Sequence, residues 1–564
     1  MTRTSFASWD DFIEAQGLEF RLKLIELAGV LGDDFISFVL AAPRADVMDS
    51  VPSDAQRAVV DELMAVHLEQ KKLPDLQQRS RAMLETLCGH QSDKGHSRAT
   101  GWHIRCGGAP PEVTGDSLEA LLATIVADVV SAPLFNPRLL IHDIVSQHPA
   151  YEATVEKARD DEALTAMFRV ALENSDADTA TSTNLFAIQV MLQTSASTVS
   201  GSVLLRDVIM NLLSRIHLRQ FDWKAVLPAA QVAVVENLNI ARTLSQGLEA
   251  TVQTYVGLLG VDLSPSQEPL DHGDVRIRQS NAFDAKCLNN TDGIRVVAEL
   301  PTKIKVLRCE YIPPPSGSAE ADLARDFERL ERRKHADTSD TDQVREQIRL
   351  RIERLKFSLL LAIQGKVAPV REAFWEIHNP ISLVADSYSR SAEELTYTGA
   401  TETLDPTTMV EFLNWWSKSD RIPPALGIGM RRLLKAAGER NDPVDVLVDA
   451  VVSWENLFGS KTESTFRVTG AVAMLLEPKD KDKRDVLQKE LSGLYGQRSR
   501  LVHGDLAEGD RRFTAADARS QSARALQIGV EVFREVLKNE AILTIAKSEE
   551  RGRRVVLDLI ESST

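Results

Sequence analysis

The chain has 564 residues, 43% of them hydrophobic and 26% charged, and a formal net charge of −16. That length and apolar content give ample core for two to four domains of ordinary globular type, and the acidic balance excludes indiscriminate nucleic-acid binding, because phosphates are repelled. Four scattered cysteines, Cys88, Cys106, Cys287 and Cys309, exclude a disulfide scaffold and fit a reducing compartment. No basic-then-apolar leader follows Met1, and the longest central apolar run, Phe357 to Ile363, is too short to cross a bilayer. A cytoplasmic protein with no membrane partner is expected.

Residues 1 to about 87 read as helices, with Phe12, Leu18, Phe20, Leu22, Leu24 and Ile25 opening the pattern and Val59, Leu63, Val66 and Leu68 continuing it. A polar, Gly-rich interruption runs from Gly89 to Pro111. With Cys88 just ahead of it, this stretch holds His90, His96, His103 and Cys106. Thiolates and imidazoles at that density suit tetrahedral Zn²⁺, and Cys88, His90, His103 and Cys106 are the candidate ligands. The spacing fits none of the usual zinc patterns, so a loop with ordinary surface histidines is the competing reading.

From Ser117 to about Leu263 the pattern predicts helices again, jointed at Pro133, Pro137, Pro149 and the polar run Asn174 to Asn184. Near Ser264 the period changes. Val275-Arg276-Ile277-Arg278 alternates, and Ile294 to Leu300 and Ile304 to Ile312 are β-rich, which predicts a small β-element over 275–312. Pro313 to Ser318 reads as a linker or exposed turn. Two charged helices follow, Ala319 to Lys334 and Gln343 to Gln364. The second carries an apolar seam (Val344, Ile348, Ile352, Leu355, Leu359) flanked by Arg345, Arg349, Arg351 and Arg354, either a solvated face or an RNA contact.

The last unit opens with Asp405-Pro406 and a helix containing Trp415 and Trp416. Asp442-Pro443 supplies an N-cap and N1 proline for Val444 to Phe458. Helices at Glu463 to Leu476, Lys481 to Val502 and Ala515 to Asn539 complete a bundle. The fold class is therefore mainly α. An N-terminal helical region (1–265, a possible sensor) precedes a connector (266–400) and a helical bundle (401–564).

The helix from Lys481 carries Leu487, Leu491, Leu494 and Leu501 at helical spacing, and Arg498 falls four residues after Leu494 on that inward face. A guanidinium cannot be neutralised, so it needs a buried carboxylate or a wet cleft. His503 precedes Gly504, a helix C-cap, and in an unbroken helix would lie roughly 140° around from Arg498. The last turn must therefore unwind, or the partner group must come from another chain. From Lys483 to Arg524 there are nine Lys/Arg against six Asp/Glu. Arg500, Arg511 and Arg512 make this a candidate RNA-binding edge on an acidic body.

Leu494-Tyr495-x-x-Arg498-Ser499-x-x-Val502-His503-Gly504 resembles the signature of HEPN domains, in particular the Apea-like branch. Val451-Val452-Ser453-Trp454-Glu455-Asn456-Leu457-Phe458 is similar to that branch's helix with a Glu before an apolar pair. Glu463 to Val468 resembles the start of its third helix. The likeness covers roughly 407–560, and Ser499 stands where many family members carry Asn, Asp or His. It implies a dimeric helical bundle and metal-independent endoribonuclease chemistry with no cofactor. It also implies an antiphage, toxin-like or stress-defence setting in which the remainder of the chain answers to a trigger. Some members keep the fold only for dimerisation or RNA binding, and that alternative stays open.

RNA supplies its own nucleophile, the 2′-OH. Cleavage needs a group that moves protons near neutral pH, for which His503 is suited, and a planar cation for the phosphorane, for which Arg498 is suited. One such pair per chain favours a two-fold dimer. Tyr495 and Ser499 are candidate hydrogen-bond donors to phosphate. Glu455, at the edge of the core, is expected to orient Arg498; the alternative is a plain salt bridge between them. No Gly-x4-Gly-Lys-[Ser/Thr], Gly-x-Ser-x-Gly or His-Glu-x-x-His motif occurs.

Overall fold

Short polar side chains cap ten of the described helix starts in the computed structural model. It describes residues 17–561 apart from 112–114, 136–141, 175–184, 186–187, 198–201, 219–221, 265–267, 282, 285–293, 314–317, 319–322, 324–326, 328–338, 366, 383–385, 390–400, 460–463 and 505–513. The N-terminal helices are α1 (Leu18–Leu31), α2 (Asp33–Val39), α3 (Arg44–Asp49), α4 (Asp54–Gln70) and α5 (Leu76–Cys88). Ser53 and Gln56 form a reciprocal capping box on α4, and Asp75 accepts from the Gln77 and Gln78 amides at the start of α5. A hairpin of β1 (His90–Gln91) and β2 (His96–Ser97) leads into α6 (Arg98–Arg105) and α7 (Leu118–Val129). The short α8 (Ala132–Phe135) and α9 (His142–Ser146) precede α10 (Tyr151–Asp160) and α11 (Glu162–Glu173). The window Leu118–Phe135 is long and apolar enough to span a bilayer by composition, yet 67% of it is buried inside the protein, as in a core helix.

The expectation of helix from Ser117 to Leu263 fails in four places: β3 (Gln189–Thr194), β4 (Ser202–Leu204), β5 (Ala250–Leu259) and β6 (Val261–Leu263). Among the described residues, α12 (Leu205–Ser214) and α13 (Val226–Ser245) lie between them. Thr251, Val252, Thr254, Tyr255 and Val256 are β-branched or aromatic, and β5 lies centrally in a sheet and is buried along most of its length. No period-2 alternation marks a strand covered on both faces.

The β-element is also larger than 275–312. β7 (Leu270–His272), β8 (Val275–Gln279), β9 (Val296–Ile304), β11 (Arg371–Ile377) and β12 (Asp386–Ser389) join β5 in an antiparallel sheet ordered β12-β11-β5-β9-β8-β7. β10 (Val306–Ile312) pairs instead with β3, which pairs with β4. Buried charge is satisfied inside this sheet. Arg278 forks onto Asp284 at 2.6 and 2.8 Å and reaches Glu299 at 2.6 Å, with all three residues buried. His217 stacks on Tyr255 with ring centroids 3.9 Å apart.

α14 (Ser339–Ala362) is the joint between the sheet and the C-terminal helices. Its predicted seam is correct: Ile348, Ile352, Leu355 and Leu359 are buried. Its arginines are engaged within the chain. Arg345 Nε donates to the Ala196 carbonyl, Arg349 pairs with Glu346 and Glu353, Arg351 donates to the Pro301 and Asp274 carbonyls, and Arg354 pairs with Asp420. The proposed preceding helix, Ala319 to Lys334, lies almost wholly outside the described residues.

Beyond α14, β13 (Glu402–Leu404) pairs in parallel with β6. Then follow α15 (Pro406–Ser419), α16 (Gly427–Leu434) running into a π-helical turn at Lys435–Glu439, and α17 (Pro443–Phe458). α18 (Ser464–Leu476), α19 (Lys481–His503), α20 (Ala515–Lys538), α21 (Glu540–Leu543) and α22 (Ser548–Glu561) complete the bundle. Asp442 accepts from the Val444 amide at the start of α17, as its Asp-Pro sequence predicts. One continuous apolar cluster extends from Phe20 to Val555.

Candidate active site

α19 is held in place by its leucines. Asp480 caps its first turn, Leu487, Leu491 and Leu494 are buried, and Leu501 is half-buried. That placement turns Tyr495 and Arg498 toward the end of α17. The end of α17 is tied down by Arg551 on α22, which is fully buried. Its Nη1 donates to the Leu457 carbonyl at 2.6 Å and its Nη2 to the Ile545 carbonyl at 2.7 Å. Burial pulls this guanidinium down to about 10, still protonated at neutral pH. A cation on the last carbonyls of a helix also complements its dipole.

Glu455 sits one turn inside that fixed end. The Tyr495 hydroxyl donates to Glu455 Oε1 at 2.6 Å, and Arg498 Nη2 approaches Glu455 Oε2 at 3.4 Å. The Arg498 and Glu455 side chains are 21% and 25% exposed, so water screens the pair only in part. Among the described residues Arg498 Nε is enclosed and has no acceptor. The Glu455–Arg498 juxtaposition is thus present as the sequence suggests. The Tyr495 assignment changes: its hydroxyl meets a protein carboxylate, and Tyr495 is buried.

His503 is the last residue of α19 and is exposed, with Gly504 at φ 77° closing the helix. The helix does not unwind before it, contrary to the first of the two routes that the spacing allowed. Five residues of continuous helix therefore leave the Arg498 and His503 side chains roughly 140° apart around the axis. Ser499 is half-buried, and the exposed Arg500 donates to Gln497 Oε1. Arg511 and Arg512 lie outside the described residues. Arg524 is taken by Glu490 at 2.9 and 3.1 Å, which removes one charge from the basic edge.

The Cys/His set from 88 to 106 does not converge. Cys88 is buried at the end of α5. Burial pushes the Cys106 thiol up to about 11, the reverse of what a thiolate ligand needs. His103 is buried against Phe38, its ring stacked at 4.7 Å and its Nδ1 2.7 Å from the Phe38 carbonyl. His90 alone joins a cluster, with Asp128 and His148, two residues the sequence reading did not single out. A carboxylate inside the apolar helix Leu118–Val129 was the available signal. Arg551 was missed as well, since a lone arginine on a charged helix carries no mark of burial.

No family model, curated protein or solved structure matches this chain.

Proposed function

We propose that this chain is a metal-independent endoribonuclease in which two copies each supply Arg498 and His503 to one cleft. The observation that carries the reading is the hold on Arg498. Glu455, itself fixed by Tyr495, grips one edge of the guanidinium at Nη2, and the Arg498 side chain stays 21% exposed. A cation held by one edge can offer other donors to phosphate oxygens as their charge develops. His503, exposed at the helix end, takes the 2′-OH proton in this scheme. The 2′-oxygen attacks phosphorus, the 5′-oxygen leaves with a proton from the second copy's histidine, and a 2′,3′-cyclic phosphate remains. Glu455 orients and takes no proton. The resemblance to HEPN domains supports the same chemistry and a cytoplasmic defence or stress setting, with the helical and sheet-bearing remainder restraining the site.

A second reading has an observation of its own. Because α19 is unbroken, one chain cannot bring Arg498 and His503 together, and a bundle that never pairs would serve only as a binding module.

The test is a gel assay of tRNA and mRNA with EDTA present. Cleavage that is lost in Arg498→Ala and in His503→Ala, and partly restored when the two variants are mixed, supports a composite site. Absence of cleavage under every condition, with RNA still bound, supports the binding module.

A further inference from the structure

His90, Asp128 and His148 come from three separate segments: the first residue of β1, the penultimate residue of α7, and the turn between α9 and α10. We infer that these three side chains form a site for one divalent transition-metal ion of the zinc class, independent of the C-terminal Arg/His site. One ligand atom from each lies within 4.8 Å of the others. Asp128 Oδ2 is 2.6 Å from His90 Nδ1 and 3.2 Å from His148 Nε2. Ligands about 2.0–2.1 Å from a tetrahedral ion sit roughly 3.3 Å apart, so the His148–Asp128 edge already fits and the His90–Asp128 edge has to open.

The surroundings match what such a site requires. The side chains of His148 and Asp128 are 1% and 4% exposed and that of His90 is 12%, so the ion would be enclosed on two sides and reachable on the third. Asp128 Oδ1 accepts the Ser97 amide at 2.8 Å, which fixes the carboxylate plane and leaves Oδ2 for the shared position. Ser97 and Thr100 also bond to the Asp128 and Ala127 carbonyls, locking β2 and α6 to the end of α7. Two imidazoles and one carboxylate favour zinc, cobalt or ferrous iron over magnesium or calcium, which prefer all-oxygen ligands. Three protein ligands leave a fourth position for water on the His90 side.

A hydrogen-bonded pin competes with this assignment. The Ala150 amide donates to His148 Nδ1 at 3.1 Å, which places the metal-free proton on Nε2, facing Asp128. A metal on Nε2 moves that proton to Nδ1 and loses the Ala150 contact. One lost hydrogen bond weakens binding by roughly tenfold. A three-ligand chelate exceeds that by several powers of ten.

Full-length protein stripped with chelator and titrated with Zn²⁺ or Co²⁺ decides between them. The expected result is about one equivalent bound, visible Co²⁺ absorption bands, and a melting temperature several degrees higher with Zn²⁺ than with EDTA. His90→Asn keeps a donor toward Asp128 but removes the imidazole, so it should fold and bind Zn²⁺ at least ~100-fold more weakly. Folded wild type that takes up neither metal, or His90→Asn that binds like wild type, overturns the assignment and leaves the pin.

Discussion

Removing the Tyr495 hydroxyl is the most revealing perturbation of the candidate site. It deletes no charge and touches no substrate in the proposed chemistry. Its 2.6 Å bond to Glu455 Oε1 is a hydrogen bond to a charged group, worth about 1.5–3 kcal/mol net of the water it replaces and less for a carboxylate 25% exposed. The second arm, Arg498 to Glu455 at 3.4 Å, is a single long contact between side chains 21% and 25% exposed. Discounted for that screening, it contributes about 0.5–1 kcal/mol. The tyrosine thus fixes the glutamate more firmly than the arginine does. Tyr495→Phe should cost about 1 kcal/mol of stability, and the Tyr495→Phe/Glu455→Gln cycle should couple by about 1 kcal/mol, more than the Arg498→Lys/Glu455→Gln cycle. Urea unfolding followed by circular dichroism measures these couplings on the full chain. The same variant should lower RNA cleavage about tenfold, because Glu455 then swings and Arg498 loses its aim. Coupling under about 0.3 kcal/mol for the tyrosine cycle, or cleavage unchanged in Tyr495→Phe, would refute the idea that Glu455 is held from two sides.

Two further outcomes follow from the packing. Gly260 has φ 81° and a Cβ there would strike the Pro369 carbonyl, so Gly260→Ala should cost at least about 2 kcal/mol. Gly493, helical and exposed with nothing near its missing Cβ, should instead gain about 0.5–1 kcal/mol on Gly493→Ala, a contrast that thermal melts resolve. Acid sensitivity should trace to His217, which burial, then Arg278 and Arg215, hold down to about 3. Between about pH 6.5 and 3 the unfolded chain binds a proton there that the folded chain refuses, so stability present at neutral pH falls by a few kcal/mol as pH drops through that window. His217→Phe should flatten that limb of a melting-temperature profile, and an unchanged slope counts against the assignment.

What was legible in the sequence is local. Asp442-Pro443 and Gly504 each satisfy backbone groups within a turn, so α17 and α19 end within a residue or two of where the sequence places them. The leucine stripe of α19 likewise announces its buried face. What was not legible depends on residues distant in sequence. Tyr495 and Glu455 lie 40 residues apart, and nothing in the motif says that the phenol faces a carboxylate and not a phosphate. Asp128 reads as one polar letter in an apolar helix until His90 and His148 arrive from either side. β5 escaped because a strand buried on both faces and a buried helix share the same apolar composition.

Nothing about the α14 joint lets the C-terminal bundle stand alone. Arg534 on α20 donates to the carbonyls of Leu361 and Ile363 at the end of α14, at 2.9 and 2.7 Å. Gly438 presses within 2.7 Å (measured to its would-be Cβ) of the Val370 carbonyl, and β13 borrows its partner from β6. A fragment beginning at residue 401 would orphan a strand edge, strip both acceptors from a half-buried guanidinium, and bare the apolar side of α15 with Met409, Phe412, Trp415 and Trp416. Cutting the chain in two would therefore yield sticky, aggregating halves.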